Sequence, residues 1–252
     1  MKISIITVTY NSAQTLQETI NSVLSQSYLD IEYIIVDGKS TDGTLDIIKA
    51  HEPKFDGRIK WISEPDIGLY DAMNKGIKMA TGNIIGLINS DDVFATPDSI
   101  EKIMSVFNDN DVDSVYADLD YVSQNNTDKI IRHWKSGKRQ SFTKGWHPAH
   151  PTFYVKKNIY QQYGMFNLTY KFAADFELML RFVEKYNISI LYLPETLIKM
   201  RLGGTTNKSF SNIINGNIEC YKAFKDNSIP VSIFYPFYRI LPKLTQFFHK
   251  ND

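Results

Sequence analysis

The chain has little cysteine, no net charge and no long apolar run, and each shortage excludes a class of protein. The single cysteine, Cys220, cannot form an internal disulfide, which favours a reducing compartment. Lys plus Arg and Asp plus Glu both number 28, so the formal charge is zero, which argues against broad binding to nucleic acid. No uninterrupted apolar stretch is long enough to span a bilayer, and the run Ile3 to Val8 is too short for the core of an export signal. We therefore expect a cytoplasmic protein with no nucleic-acid partner.

What the chain does have is the composition of a globular protein with many aromatic rings. Its 252 residues allow one large domain, or one domain with appendages. Hydrophobic residues make up 43% and charged residues 22%, a balance that excludes wholesale disorder. Several of the 15 Phe and 15 Tyr side chains crowd the last part of the chain, so this end differs in character from the rest.

Apolar strands and amphipathic helices alternate along the first part of the chain. The pattern predicts strands near 2–8, 32–36, 59–62 and 83–88, and helices near 13–26, 44–50 and 68–80. Beyond residue 96 it predicts helices near 97–108, 173–186 and 210–225, strands near 114–117, 152–155 and 188–193, and a hairpin with loop over 118–145. This alternation predicts an α/β fold with a Rossmann-like, mostly parallel central sheet flanked by helices.

Three polar clusters follow predicted strands. They are Thr9-Tyr10-Asn11, the segment 37–42, and Asp91-Asp92. In such sheets, ligands bind beyond the carboxyl ends of the strands, so three clusters on one edge indicate a binding site. No Gly-x-x-x-x-Gly-Lys-Ser/Thr or Gly-x-Gly-x-x-Gly motif is present at the first strand, which disfavours a P-loop and a dehydrogenase-type dinucleotide site.

Four carboxylates are candidates for chemistry. Asp91 and Asp92 repel each other, and either a divalent cation or solvation at a helix-capping loop would relieve this repulsion. Asp37 ends a buried strand and needs hydrogen-bond donors, which a base or a ribose would supply. Asp175 would begin a helix, either as its N-cap with Glu177 favouring the helix dipole, or as a general base at the edge of a cleft.

The ordered motifs resemble those of a family 2 glycosyltransferase with the GT-A nucleotide-diphospho-sugar transferase fold. The matching segments are Thr7-Val8-Thr9-Tyr10-Asn11, 36–44, Asn89-Ser90-Asp91-Asp92, His150-Pro151-Thr152-Phe153 and Ala174-Asp175-Phe176-Glu177-Leu178. The segments 64–76 and 201–206 are similar to those of the subgroup that builds bacterial capsule and exopolysaccharide. The resemblance covers about residues 1 to 206.

The resemblance implies a role for each matching residue. The donor and nucleotide contacts that it implies are Thr9, Tyr10, Asn11, Asp37, Ser40, Asp66, Lys75 and Asp91. It implies a cation, Mg²⁺ or Mn²⁺, contacted by Asp92 and His150, although Asn89 replaces the first carboxylate of the family's Asp-x-Asp element. It implies Asp175 as the catalytic base of an inverting transfer. The sugar would move from a nucleotide-sugar donor, a UDP-sugar by preference, to a glycan or polyprenyl-linked acceptor in bacterial surface polysaccharide synthesis.

The C-terminal part forms a separate prediction. We expect a catalytic domain over 1–206 and a helical, aromatic-rich extension over 207–252. Pro236 and Pro242 would break a helix in 229–250, and its rings and few cations suit either a membrane surface on the inner face or packing on protein. The oligomeric state stays open.

Two other functions compete with sugar transfer. A nucleotidylyltransferase would favour a Gly-rich basic loop after the first strand, which Thr9-Tyr10-Asn11-Ser12 lacks. A degenerate sugar-binding scaffold would not need Asp37, Asp92 and Asp175, so their presence counts against it.

Overall fold

The structure is a computed structural model that describes residues 1–203 and 210–236. The strands within these residues are β1 (Ile3–Thr9), β2 (Ile31–Asp37), β3 (Ile59–Ser63), β4 (Ile84–Leu87), β5 (Val93–Phe94), β6 (Ser114–Ser123), β7 (Asn126–Trp134), β8 (Tyr154–Lys156) and β9 (Ile190–Arg201). The α-helices are α1 (Leu16–Leu24), α2 (Thr44–His51), α3 (Leu69–Met79), α4 (Ser99–Asp109), α5 (Lys157–Tyr163), α6 (Ala174–Leu180) and α7 (Phe210–Asp226). No helix in the described ranges is both long enough and apolar enough to span a bilayer.

One sheet contains all of these strands, in the order β3-β2-β1-β4-β8-β6-β9-β5, and β7 pairs with the outer half of β6. The pairs β3–β2, β2–β1, β1–β4 and β6–β9 are parallel, whereas β8 runs antiparallel to both of its neighbours. The prediction of an α/β fold with a mostly parallel sheet and flanking helices is therefore confirmed. Because β1 lies between β2 and β4, the polar residues that follow these strands come together at one edge.

Strand composition explains the layering. Every residue of β1 and β2 is buried, as expected for interior parallel strands that are covered on both faces. Alternate side chains enter two separate cores: Ile6 and Ile34 pack in one, and Ile5 and Ile35 in the other. The near-continuous apolar runs thus specify the centre of the sheet.

The second half of the fold differs from the predicted pattern. β6 continues from 117 to 123 and pairs antiparallel with β7, which confirms the hairpin predicted within 118–145, and β9 continues from 193 to 201, beyond its predicted end. The polar residues Asp118 and Asp120 are buried there because donors satisfy them: the Tyr192 hydroxyl lies 2.9 Å from both Asp118 carboxylate oxygens, and His133 Nδ1 lies 2.6 Å from Asp120. The helix predicted over 173–186 changes to π-helix at Arg181–Lys185.

The described part of the C-terminal extension packs on the sheet domain. Cys220, Phe224 and Tyr235 are fully buried in the same core as α6. The Glu219 carboxylate accepts hydrogen bonds of 2.7 to 3.0 Å from the main-chain N–H groups of residues 171 to 173, directly before α6. Of the two alternatives predicted for 229–250, packing on protein therefore holds for Ile229, Val231 and Tyr235, which lie in or against this core. The rest of the predicted membrane-contact segment, 237–250, lies outside the described residues, and the domain boundary at 206 stays a prediction.

Glu32 joins three neighbouring segments at the opposite edge of the sheet. Its carboxylate accepts hydrogen bonds from Ser4 Oγ at 2.6 Å, Lys60 Nζ at 2.7 Å and the Thr81 main-chain N–H at 2.7 Å. Burial by itself raises the pKa of Glu32, but the hydrogen bonds from Lys60, Ser4 and Thr81 outweigh it and lower the pKa to about 2. The ionised carboxylate therefore stabilises the fold.

This lowered pKa predicts how stability depends on pH. A depressed pKa contributes stability that is complete above the unfolded pKa, near 4.5, and is lost as pH falls towards 2. At pH 7 we expect Glu32→Gln to lower the free energy of unfolding by about 1–2 kcal/mol, an estimate reduced because Lys60 is half exposed. Urea unfolding at several pH values measures this difference, which should narrow below about pH 5. Asp109→Asn, at an exposed carboxylate, is the control, and a gap that stays constant from neutral to acidic pH would contradict the assignment.

Candidate active site

A cavity of about 680 Å³ lies at the carboxyl edge of β1 and β4. Its walls come from the segments after these strands, from the N-terminus of α3, from the turn at His150 and from the start of α6. Seven of the predicted site residues line it: Thr9, Tyr10, Asn11, Asp66, Asp91, His150 and Asp175. Four others, Asp37, Ser40, Lys75 and Asp92, are not among its lining residues. The fold thus brings distant motifs together around one space.

Asp175 is held from two sides on the wall of this cavity. The Tyr70 hydroxyl donates a hydrogen bond of 3.1 Å to Asp175 Oδ1, and His150 Nδ1 lies 3.3 Å from Oδ2. The Asp175 side chain is 26% exposed, so it remains open to the cavity. A carboxylate in this setting can accept a proton from a bound hydroxyl group. The contact also shows that His150 faces Asp175, whereas the resemblance implied a cation contact.

The end of β1 places a buried hydroxyl beside the cavity. Thr9 is 5% exposed, and its Oγ1 has no hydrogen-bond partner within the described residues. A buried hydroxyl without a partner is costly unless a ligand or water satisfies it. Tyr10, 63% exposed, follows at the mouth, where its ring is available for stacking. The Tyr10 ring is therefore open to a bound molecule, whereas the Thr9 hydroxyl is enclosed by protein.

Asp37 is enclosed behind this wall. It is fully buried, and its carboxylate accepts hydrogen bonds from the Ser40 main-chain N–H at 3.0 Å and from Ser63 Oγ at 2.6 Å. Ser40 Oγ donates to the same carboxylate and accepts a 2.8 Å bond from the Asn11 main-chain N–H. The hydrogen-bond donors that Asp37 was predicted to receive from a base or ribose are therefore supplied by the protein itself. The same network fixes the segment that carries Asn11.

Lys75 lies outside the cavity and supports the segment that carries Asp66. Its ammonium group donates to the Pro65 carbonyl oxygen at 2.7 Å and lies 2.9 Å from a Glu64 carboxylate oxygen. The Glu64 carboxylate is the largest cause of the raised Lys75 pKa. The Asp66 carboxylate packs against Gly38. A Cβ atom at position 38 would lie only 2.5 Å from the Asp66 carboxylate oxygen. Lys75 is placed to position the Asp66 segment.

The two adjacent carboxylates after β4 have different environments. Asp92 is 1% exposed and accepts hydrogen bonds from Asn89 Nδ2 at 2.9 Å and from the Arg201 main-chain N–H at 3.1 Å. Burial raises the pKa of Asp92 well above its ordinary value, and the nearby Asp91 charge raises it further. Asp91 lines the cavity and Asp92 does not. This placement differs from the expectation that Asp92 makes the direct cation contact, because its oxygens are enclosed by protein donors.

Arg201 and Tyr70 are site residues to which the sequence analysis gave no role. Arg201 is 3% exposed, and its guanidinium donates to the main-chain oxygens of Asp91 and Gln124 and pairs with Glu18. It therefore fixes the segment that carries the paired carboxylates. Tyr70 lies in the segment 64–76 and Arg201 in the segment 201–206, so the resemblance of these segments to the family was the signal that could have indicated them.

The charges on the cavity wall determine whether a divalent cation can bind in the cavity. Its lining includes the carboxylates Asp66, Asp91 and Asp175, and the guanidinium of Arg201 is already paired with Glu18. Within residues 1–203 and 210–236, no group of three or more His, Cys, Asp or Glu side chains forms a ready metal cage. Mg²⁺ is commonly bound by one or two carboxylates together with substrate phosphates. The residues thus fit a cation that is shared between Asp91 and a bound phosphate group.

Sequence comparison places the chain among glycosyltransferases. The profile described as glycosyl transferase family 2 matches residues 4–178. An uncharacterised glycosyltransferase of Nostoc sp. is 40% identical over 131 residues, which are 52% of this chain and 40% of that protein. A PGL/p-HBAD biosynthesis glycosyltransferase of Mycobacterium bovis is 30% identical over 186 residues, which are 71% of this chain and 68% of that protein. The chain therefore spans about two fifths of the first relative and about two thirds of the second.

Solved structures share the fold. Staphylococcus aureus TarS 1–349 in complex with UDP superposes with a TM-score of 0.64 at 20% identity, over 87% of this chain and 65% of that chain. The mannosyltransferase PcManGT from Pyrobaculum calidifontis, in complex with GDP-Man and Mn²⁺, gives a TM-score of 0.68 at 14% identity, over 96% and 73% of the respective chains. With a family profile matched over more than half of its length and these neighbours in structure, the chain belongs to glycosyl transferase family 2 and has the GT-A fold.

Proposed function

We propose that the protein is an inverting glycosyltransferase that moves a sugar from a UDP-sugar to a hydroxyl group of a glycan or lipid-linked acceptor in bacterial surface polysaccharide synthesis. The observation that carries this proposal is the placement of Asp175. Its carboxylate is held by Tyr70 and His150 in the same cavity that Asp91 lines from another segment. One cavity therefore contains a candidate base and a candidate contact for a diphosphate-bound cation.

The chemistry assigned to Asp175 is proton removal. As the acceptor oxygen attacks the anomeric carbon, its proton passes to the Asp175 carboxylate while the bond to the nucleoside diphosphate breaks on the opposite face of the sugar, so configuration inverts. When bound, the divalent cation, Mg²⁺ or Mn²⁺, neutralises charge on the leaving diphosphate. Tyr10 and Thr9 are proposed to contact the nucleotide. Asn11, Asp37 and Ser40 are proposed to hold this part of the cavity wall in place through their hydrogen bonds. Asp66 is proposed to complete the wall on the donor side.

A donor screen tests the proposal. The full chain is incubated with UDP-glucose, UDP-N-acetylglucosamine, UDP-galactose or GDP-mannose in the presence of MnCl₂ or MgCl₂, and released nucleotide is measured. Slow hydrolysis without acceptor should release a nucleoside diphosphate from one donor class. Release from GDP-mannose alone would contradict the UDP assignment. Formation of a nucleoside monophosphate or of pyrophosphate would instead favour nucleotidyl chemistry.

The two adjacent carboxylates provide a sharper test of the cation contact. We expect Asp91→Asn to weaken Mn²⁺-dependent binding of UDP by about 10- to 100-fold, because a charged contact to the bound cation is lost. Isothermal titration calorimetry with UDP and MnCl₂ measures this change, with Asp109→Asn as the control variant. If Asp92→Asn abolishes the binding and Asp91→Asn preserves it, Asp92 is the cation ligand that the sequence predicted.

A further inference from the structure

We infer that Tyr70 is a positioning residue for sugar transfer, which holds the Asp175 carboxylate in the orientation from which it receives the acceptor proton. The inference rests on the proposed function, in which Asp175 is the base. Tyr70 reaches Asp175 across 105 positions of sequence.

Each oxygen of the Asp175 carboxylate has a neighbouring side chain. The Tyr70 hydroxyl donates a hydrogen bond of 3.1 Å to Oδ1, and His150 Nδ1 lies 3.3 Å from Oδ2, so groups from separate elements flank the carboxylate. Each carboxylate oxygen has two lone pairs, so each keeps one for the acceptor hydroxyl. The Tyr70 hydrogen bond restricts rotation of the carboxylate about its Cβ–Cγ bond, and the nearby His150 ring limits the space on its other side. Fixed geometry matters because a general base acts only within hydrogen-bond reach of the proton.

Tyr70 is itself held in place. Its ring stacks on Phe166 with centroids 5.5 Å apart and an angle of 26° between the planes. Asn74, one turn further along α3, holds the main chain of Phe166 by two hydrogen bonds of 2.9 Å, one from the Phe166 N–H and one to its carbonyl oxygen. Residues four apart share one face of a helix, so Tyr70 and Asn74 act on the same loop. This arrangement gives a physical reason for the spacing of Tyr70 and Asn74 in the segment 64–76.

The surroundings also keep the Tyr70 hydroxyl protonated as a donor. Tyr70 is 9% exposed, and burial, together with the adjacent Asp175 charge, raises its pKa well above the ordinary value.

Gly68, at φ 132°, turns the chain from the Asp66 segment of the wall into α3, a backbone conformation that favours glycine. Tyr70 therefore links the Asp66 segment with the base.

Removal of the hydroxyl alone tests the inference. We expect Tyr70→Phe to lower kcat for nucleotide release by about tenfold, while the Kd for UDP with MnCl₂ stays within about twofold. A crystal structure of the variant should show the Asp175 carboxylate turned away from its present position. Tyr154→Phe is the matched control, since Tyr154 is a fully buried tyrosine that is absent from the cavity lining and whose hydroxyl has no hydrogen-bond partner within the described residues.

The outcomes separate this inference from the proposed function. Unchanged kcat, or an unmoved carboxylate in the crystal structure of Tyr70→Phe, overturns the role of Tyr70. A weakened Kd for UDP with unchanged kcat overturns it as well, because the hydroxyl would then act in binding. If Asp175→Asn keeps full turnover, the proposed base is wrong, whatever Tyr70→Phe does. If no donor in the screen is hydrolysed, the crystal structure of Tyr70→Phe tests the role of Tyr70 by itself. A turned Asp175 carboxylate supports the role, and an unmoved one overturns it.

Discussion

Asp175→Asn is expected to lower nucleotide release by about 10²- to 10⁴-fold while leaving nucleotide binding intact. The amide has nearly the same shape as the carboxylate and can still accept the Tyr70 hydrogen bond, but its oxygen is far too weak a base to remove the acceptor proton. Isothermal titration calorimetry with UDP and MnCl₂, next to a turnover assay, measures the two effects separately.

The control for this variant is another Asp→Asn change away from the cavity, Asp109→Asn, which should keep both binding and turnover. Retained turnover in Asp175→Asn would contradict the assignment of the base. Loss of UDP binding together with turnover would show instead that the side chain acts in donor binding. Circular dichroism and thermal unfolding of the variant verify that it is folded.

Glu177→Ala is expected to lower the free energy of unfolding by about 3–5 kcal/mol, because it removes one partner of a buried ion pair. Glu177 is 3% exposed, and its Oε1 accepts hydrogen bonds from Arg181 Nε at 2.9 Å and from Asn227 Nδ2 at 3.0 Å. Without the carboxylate, the partners that the buried guanidinium of Arg181 keeps within the described residues are all uncharged: the carbonyl oxygens of residues 163 to 165 and the Phe182 ring. Its charge is then left uncompensated.

Urea unfolding of the full chain measures this loss. Glu195→Ala is the matched control, since Glu195 also pairs with a cation, Lys102 at 3.3 Å, but its side chain is 47% exposed. An exposed pair contributes about 1 kcal/mol or less, so the control should differ little from the wild type. Equal losses in the two variants would contradict the view that burial sets the energy of the Glu177 pair.

Much of the fold could be predicted because its signals are local. The β-branched runs of β1 and β2 are buried throughout, as their composition predicts, and helices follow where apolar residues recur at helical spacing. The hairpin within 118–145 was predicted, but the burial of its acidic residues was not. Asp118 and Asp120 have the composition of a loop. They can lie inside a strand because donors distant in sequence or across the hairpin satisfy them, namely Tyr192, Ser136 and His133.

The candidate site could be predicted as a set of motifs but not as a geometry. The order of the motifs was sufficient to indicate Asp175 and Asp91, and both line the cavity. It did not indicate that Arg201 would be buried against the segment that contains Asp91 and Asp92, because that contact joins residues 110 positions apart. The strand β9 had to reach residue 201 for the contact to form.

The sequence by itself determined the family, the central parallel strands and the segments that form the site, since these depend on composition and order along the chain. Only the tertiary structure distinguished carboxylates of the same type. Asp91 lines the cavity while Asp92 is enclosed, and Asp175 meets Tyr70 while Glu177, two residues later, is buried with Arg181. The physical reason is that the chemistry of a carboxylate depends on burial and on its hydrogen-bond donors. Both are supplied by elements that the fold brings in from elsewhere in the chain.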